Sequence, residues 1–250
     1  MNNENLEINP NVVGNQRGRK HVFKNERYFD TIDSDDKAYF LGLLWADGCN
    51  FRKRNAKTIF LGLKEEDSNV IHALSEKIFV KPELAVKLII PKALGNFGYP
   101  RRRCSLFITS LHISDVLLAY GMTPRKSFTA KMPSGVVWTE DLFRAFLRGY
   151  FDGDGSIFYS GGSFALSIIC SCPQAKEMNQ LIEKFWGQQM KTRVKSHYKE
   201  PMIEFRMGGN YKTASFFDWL YLGHTVCLER KYKKYLQLKA LIASKTKGYS

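Results

Sequence analysis

Two aspartates occupy nearly the same setting. Asp47 and Asp154 each close an apolar stretch and precede a glycine, in WADGCNF and DGDGSIF. Two carboxylates brought together repel, and the pKa of at least one rises unless a cation neutralises them. An oxygen-only pair suits magnesium, which keeps several waters and often binds one or two carboxylates together with phosphate oxygens. Such a centre supports phosphodiester hydrolysis, because a metal-held water can attack phosphorus while the leaving oxygen is neutralised. What would bring the acids together is written just before them. Gly42 and Ala46 lie four residues apart on one helical face, as do Gly149 and Gly153. Glycine inside a helix costs about 1 kcal/mol relative to alanine. Its use here suggests two helices approaching closely in parallel, with Asp47 and Asp154 emerging side by side.

The acids belong to a longer repeat. Subtracting 47 from 154 gives an offset of 107, which also pairs Gly42 with Gly149, Gly48 with Gly155, Phe51 with Phe158, Leu61 with Ile168 and Leu74 with Leu181. A shared register over some forty residues indicates an internal duplication. Each copy reads as a motif helix, two strands (49–55 and 58–63; 156–160 and 164–170), a helix (65–79; 173–186), two strands (84–90 and 102–109; 192–199 and 202–207) and a closing helix (111–120; 211–222). The expected fold is α+β: two pseudo-symmetric αββαββα subdomains forming a saddle of antiparallel sheets, with the motif helices packed at the interface. The expected divisions are a flexible basic N-terminal arm over 1–34 (Arg17, Arg19 and Lys20), subdomains over 35–123 and 140–224, a linker over 124–139, and a basic helix and tail over 225–250.

FLGLLWADG (Phe40–Gly48) and LRGYFDGDG (Leu147–Gly155) resemble the signature of the LAGLIDADG homing endonucleases, in two copies as in the single-chain members. GMTPRKS (Gly121–Ser127) and LERKYKKY (Leu228–Tyr235) are similar to segments that follow the domains in that family. The resemblance implies a monomeric, site-specific endonuclease that cuts double-stranded DNA at a long target. Asp47 and Asp154 would bind magnesium, with manganese able to substitute, and the carbonyls of Ala46 and Gly153 would assist. Lys64 resembles the family's active-site lysine, and the 107 offset puts Ser171 in its place in the second copy. Two departures stand out: Trp45 replaces the penultimate acid that the second copy keeps as Asp152, and Arg148 is atypical, facing DNA or solvent. The chain shows none of the expected intein splicing residues, so a free-standing or intron-encoded enzyme is expected.

The rest of the chain fits a polyanionic partner. Thirty-eight Lys and Arg against 24 Asp and Glu leave a net charge of +14, a balance that favours nucleic acid without requiring it. Arg193, Lys195, His197 and Lys199 alternate, as do Asn50, Arg52 and Arg54, so each set should share a strand face. Phe51 would point the other way. Arg101, Arg102 and Arg103 precede a strand, and such a surface could read bases in the major groove. No apolar run approaches the ~20 residues of a membrane span. The N-terminus lacks a signal-peptide pattern, and the five cysteines form no CxxC pair. A soluble, reduced, intracellular protein is expected. An EF-hand reading of FDGDGSI fails, because Tyr150 and Gly161 would fall at carboxylate positions. A non-cleaving RNA maturase or DNA-binding regulator remains the alternative.

Overall fold

Serine and threonine set where the two motif helices begin. Ser34 and Thr139 accept hydrogen bonds from the backbone N–H groups of Lys37 and Leu142, at 3.4 and 3.3 Å. Asp35 and Asp36, and Glu140 and Asp141, fill the first turns, where the helix dipole favours negative charge. A computed structural model of the chain describes residues 22–53, 56–90 and 102–247. The order is α1 (Asp35–Asp47), β1 (Gly48–Lys53), β2 (Ala56–Lys64), α2 (Ser68–Ile78), β3 (Val86–Ile89), β4 (Arg103–Thr109) and α3 (Leu111–Ala119). It then repeats as α4 (Glu140–Asp154), β5 (Gly155–Ser160), β6 (Ser163–Ser171), α5 (Cys172–Trp186), β7 (Lys191–Lys195), β8 (Met202–Gly208) and α6 (Asn210–Leu220), and ends in α7 (Glu229–Lys247). The sheets are ordered β1-β2-β4-β3 and β5-β6-β8-β7, so the duplication reappears as topology. Both are antiparallel. One face of each sheet is apolar and buried: Ile59, Leu61, Leu106 and Ile108 in the first, Leu166, Ile168, Phe205 and Met207 in the second. Among the described residues, no helix is long and apolar enough to cross a membrane.

The chain divides into two compact units, one of residues 1–31 and 51–116, the other of 32–50 and 117–250. In the first unit, residues 22–30 are packed rather than extended. Phe23 bridges to Phe79 with ring centroids 5.1 Å apart, and Tyr28 and Phe29 are buried. Three aromatics follow the basic residues there, so the expectation of a flexible arm is corrected for residues 22–30; Arg17, Arg19 and Lys20 lie outside the described residues.

The second unit contains both motif helices. A Cβ on Gly42 would stand 2.0 Å from the Phe146 carbonyl oxygen, and one on Gly149 would stand 2.0 Å from that of Tyr39. One on Gly153 would meet the Ala46 Cβ at 2.3 Å. Contacts that advance together along both chains mean that α1 and α4 run parallel with their backbones touching. Arg148 does not face DNA or solvent, as expected from the sequence, but is wholly buried. Its guanidinium pairs with Asp35 at 2.6 Å and donates to the carbonyls of Val226 and Leu220 at 3.0 and 3.3 Å. Those carbonyls come from a segment some seventy residues away, which is why no local pattern announced the burial. Arg148→Met should destabilise the protein by about 3–5 kcal/mol, because the partners of a buried ion pair lose their compensation. Asp35→Asn should cost less, since Asp35 is partly exposed and still accepts from Thr225. Urea unfolding of the two variants checks the order.

Candidate active site

The parallel packing carries Asp47 and Asp154 to the same end of the helix pair. A Cβ on Gly153 would lie 3.1 Å from the Asp47 carboxylate, so only glycine there lets the acid lean toward α4. Both aspartates open into a cleft of about 390 Å³ that is also lined by Trp45, Tyr150, Arg125, Lys126 and Ser127. Asp154 is crowded by protein atoms on most sides, yet its residue surface is exposed to water. Dense surroundings with one open side describe a concave site. That crowding, and then the charge of Asp47, push the Asp154 carboxyl up to about 6, against the pull of Lys126, Lys231 and the Tyr150 hydroxyl. Water screens part of this effect on the open side.

Two buried lysines flank the acids. Lys126 donates to the Ala46 carbonyl at 3.3 Å. Burial lowers its pKa, while Asp154 and Asp47 hold its charge. Lys231 uses all three protons, donating to the carbonyls of Phe151, Asp152 and Gly155 at 2.6, 2.7 and 2.6 Å. An ammonium at the carbonyl end of α4 satisfies acceptors that the helix cannot. Burial nevertheless lowers the Lys231 pKa to about 8, against the charge of Asp152. Neither lysine was singled out from the sequence. A signal was present: an Arg-Lys pair recurs in the two segments after the domains, as Arg125-Lys126 and Arg230-Lys231. Arg125 itself adopts a left-handed backbone, with φ of 59°, a conformation that costs a non-glycine residue about 1–2 kcal/mol.

The unequal motif positions do parallel work with different chemistry. Trp45 donates its indole N–H to the Lys131 carbonyl at 2.8 Å. Asp152, fully buried, accepts from the Leu228 N–H at 2.7 Å and the Tyr39 hydroxyl at 2.8 Å. Each side chain ties its helix to the segment that follows its domain. Ser171 donates to the Ala130 carbonyl and is buried, so it also supports this segment.

Some expected nucleic-acid contacts move. Asn50 is fully buried and donates to the Met122 carbonyl at 3.1 Å. Arg52 donates to the Ser114 hydroxyl at 2.7 Å and pairs with Asp115. Both therefore point to the covered side, Arg52 onto α3, while Phe51, 45% exposed, points to the open face. Alternation fixes which residues share a face but not which face is buried, and the apolar Phe51 suggested the wrong one. His197 and Lys199 fall in turn and bend residues beyond β7, so only Arg193 and Lys195 share the strand face; both ion-pair with Glu204. Lys64 ends β2 in the first unit, exposed and 3.3 Å from Glu66, with Arg103 as its cross-strand neighbour. Arg54 and Arg101 lie outside the described residues.

The donor set fits a hard divalent cation. Two carboxylates beside helix-end carbonyls offer only oxygen, which suits magnesium or manganese rather than softer metals. Among the described residues no group of three or more His, Cys, Asp or Glu could hold a metal. An ion here would therefore complete its shell with carbonyl, water or phosphate oxygens.

Comparison with known proteins agrees with this fold. Residues 141–197, from the first turn of α4 past the end of β7, match the family model of a LAGLIDADG-like domain. A search of curated proteins found no match. Among solved structures, the homing endonuclease I-WcaI bound to its DNA recognition sequence is similar, with 12% identity, a TM-score of 0.51, and 82% of this chain and 90% of that one covered. The meganuclease I-SmaMI bound to uncleavable DNA gives 11%, 0.51, 83% and 90%. A double mutant of I-SmaMI gives 14%, 0.52, 84% and 92%. Residues 141–197 thus match a LAGLIDADG-like domain, and the duplicated chain has the fold of the LAGLIDADG homing endonucleases.

Proposed function

We propose that the chain is a site-specific endonuclease that cuts both strands of a long DNA target as a monomer. The observation that carries this reading is the carboxylate pair at the touching ends of two parallel helices, open to solvent and flanked by buried lysines. Magnesium held by Asp47 and Asp154, aided by the carbonyls of Ala46 and Gly153, would supply an activated water and neutralise the leaving oxygen. The protein's own residues do the rest. The close backbone contacts of Gly42 with Phe146 and of Gly149 with Tyr39 fix the separation of the acids. Lys126 places a positive charge beside both of them, suited to stabilising charge that builds on a phosphate. Lys231 holds the end of α4 in place. Lys64 is proposed as a further cation at the phosphate, and the strand-face residues Arg103, Arg193 and Lys195 as DNA contacts.

Magnesium- or manganese-dependent cutting of DNA from a randomised library tests the reading. Lys126→Ala should lower the cleavage rate by about 10²–10³-fold, the range seen when one preorganised electrostatic donor is removed. Lys64→Ala run beside it shows whether both lysines act. Binding without cutting under any divalent ion would favour a maturase or regulator instead. Affinity should also fall by about 10³–10⁵ between 50 and 200 mM salt if some 6–10 phosphates are contacted. A nearly flat salt response in a binding titration would remove the basic strand faces from the proposal.

A further inference from the structure

The open face of the first sheet has an unusual centre. Register and burial place Phe51 and Lys53 of β1, Thr58, Phe60, Gly62 and Lys64 of β2, Lys87 and Ile89 of β3, and Arg103, Ser105, Phe107 and Thr109 of β4 on this side. Phe60 and Phe107 are direct cross-strand neighbours with ring centroids 5.3 Å apart. The Phe60 ring leans over Gly62, where a Cβ would meet its Cζ at 2.9 Å. Phe51 is 45% exposed, and Phe60 and Phe107 are half-buried. Around them stand the exposed cations Lys53, Lys64, Lys87 and Arg103, and none of these named positions is an acid.

Cations at the edge fit phosphates, but the middle lacks the Asn, Gln or Arg that reads a base edge by paired hydrogen bonds. An apolar cluster displayed among charges marks a contact of matching chemistry. In the major groove the apolar feature is the thymine C5 methyl, which phenylalanine can touch. Stacking of unpaired bases is the other use of aromatics on a sheet, and the geometry disfavours it. The ammonium groups of Lys53 and Lys87 lie over the rings of Phe51 and Phe107, each 5.3 Å from the centroid. One face of each of these two rings is thus occupied by a cation, and the Phe60 ring packs against Phe107, which leaves ring edges for contact. The second sheet differs, because Glu204 stands there between Arg193 and Lys195.

We propose that Phe51, Phe60 and Phe107 determine specificity by contacting thymine methyl groups, so that one half of the target, and not the other, is read through its thymines. This rests on the endonuclease reading above and extends it to base choice. The test starts from sites selected by the wild-type protein. Thymines are replaced singly by deoxyuridine, which removes only the methyl group. The affinity of the wild type should fall roughly fourfold at each contacted position, the ratio expected from burying one methyl-sized group. The sensitive positions should cluster in one half-site. Phe60→Thr and Phe107→Thr, on an exposed face and therefore expected to fold, should bind thymine and deoxyuridine sites equally there. Target cutting that is indifferent to deoxyuridine overturns this inference while leaving the endonuclease reading intact. So does single-stranded RNA binding that Phe60→Thr abolishes without changing duplex recognition. A wild type with no DNA affinity overturns both.

Discussion

Alanine at Gly42 or Gly149 is expected to cost more than about 4 kcal/mol, a loss in the exceptional range for single substitutions. Helix propensity alone would predict a gain of about 1 kcal/mol from either change. The packing reverses the sign. The new methyl would stand 2.0 Å from a carbonyl oxygen of the partner helix, and its next neighbours, the carbonyl carbon of the same group and the Tyr150 or Leu43 amide nitrogen, are also backbone at 2.8–2.9 Å. A side chain could rotate away from such a clash, but a helix backbone cannot. The helices must separate, which strips contacts along their length and pulls apart the ends that carry Asp47 and Asp154. Ordinary overpacking costs about 1–3 kcal/mol because neighbouring side chains adjust, and here that relief is missing. Gly208→Ala is the control, since its Cβ would meet nothing closer than 3.9 Å. It should remain within about 1 kcal/mol of the wild type. Urea unfolding of the three variants decides the matter, and a Gly42→Ala protein as stable as the wild type would refute the touching backbones.

The same glycines were legible in the sequence, because a small residue in a helix is a local anomaly with few explanations. The duplication was legible for a related reason: one offset accounted for glycines, core positions and acids together. Element order was legible in each copy of the repeat. What escaped depended on distant chain. Arg148 reads as a surface residue until Asp35, Leu220 and Val226 converge on it. Lys126 sits in a stretch that reads as linker, and its importance arises from the Ala46 carbonyl and the two acids. The faces of β1 were inverted because strand parity has two solutions. The apolar residue usually selects between them, and Phe51 is an exception with a use. β7 was read four residues too long because the alternation of charges continues past Lys195 into a turn, where the backbone no longer alternates.

Replacing Asp154 by asparagine should abolish metal-dependent cleavage, by about 10³-fold or more, equivalent to some 4 kcal/mol of lost transition-state stabilisation. DNA affinity measured without divalent ions should survive, because the substitution leaves the basic faces untouched. A second consequence is visible without substrate. The Asp154 carboxyl titrates near 6 in the folded protein and near 3.9 in an unfolded chain. The folded state therefore binds more protons between those values, and stability should fall as pH rises from about 4 to 6, then level off. Because the residue is exposed on one side, solvent screening holds the loss to the order of 1 kcal/mol. A divalent cation reverses it by binding the ionised pair. Magnesium should raise the melting temperature at pH 7 and do little at pH 4, where protons occupy the site. Asp154→Asn should lose the pH dependence and the magnesium response together. Asp47→Asn should lose the magnesium response and lower the Asp154 pKa, because the neighbouring charge ranks second only to burial in raising it. Melting curves in chelator that stay flat from pH 4 to 6 would mean that the two carboxylates do not oppose each other, and the proposed metal centre would fall with them.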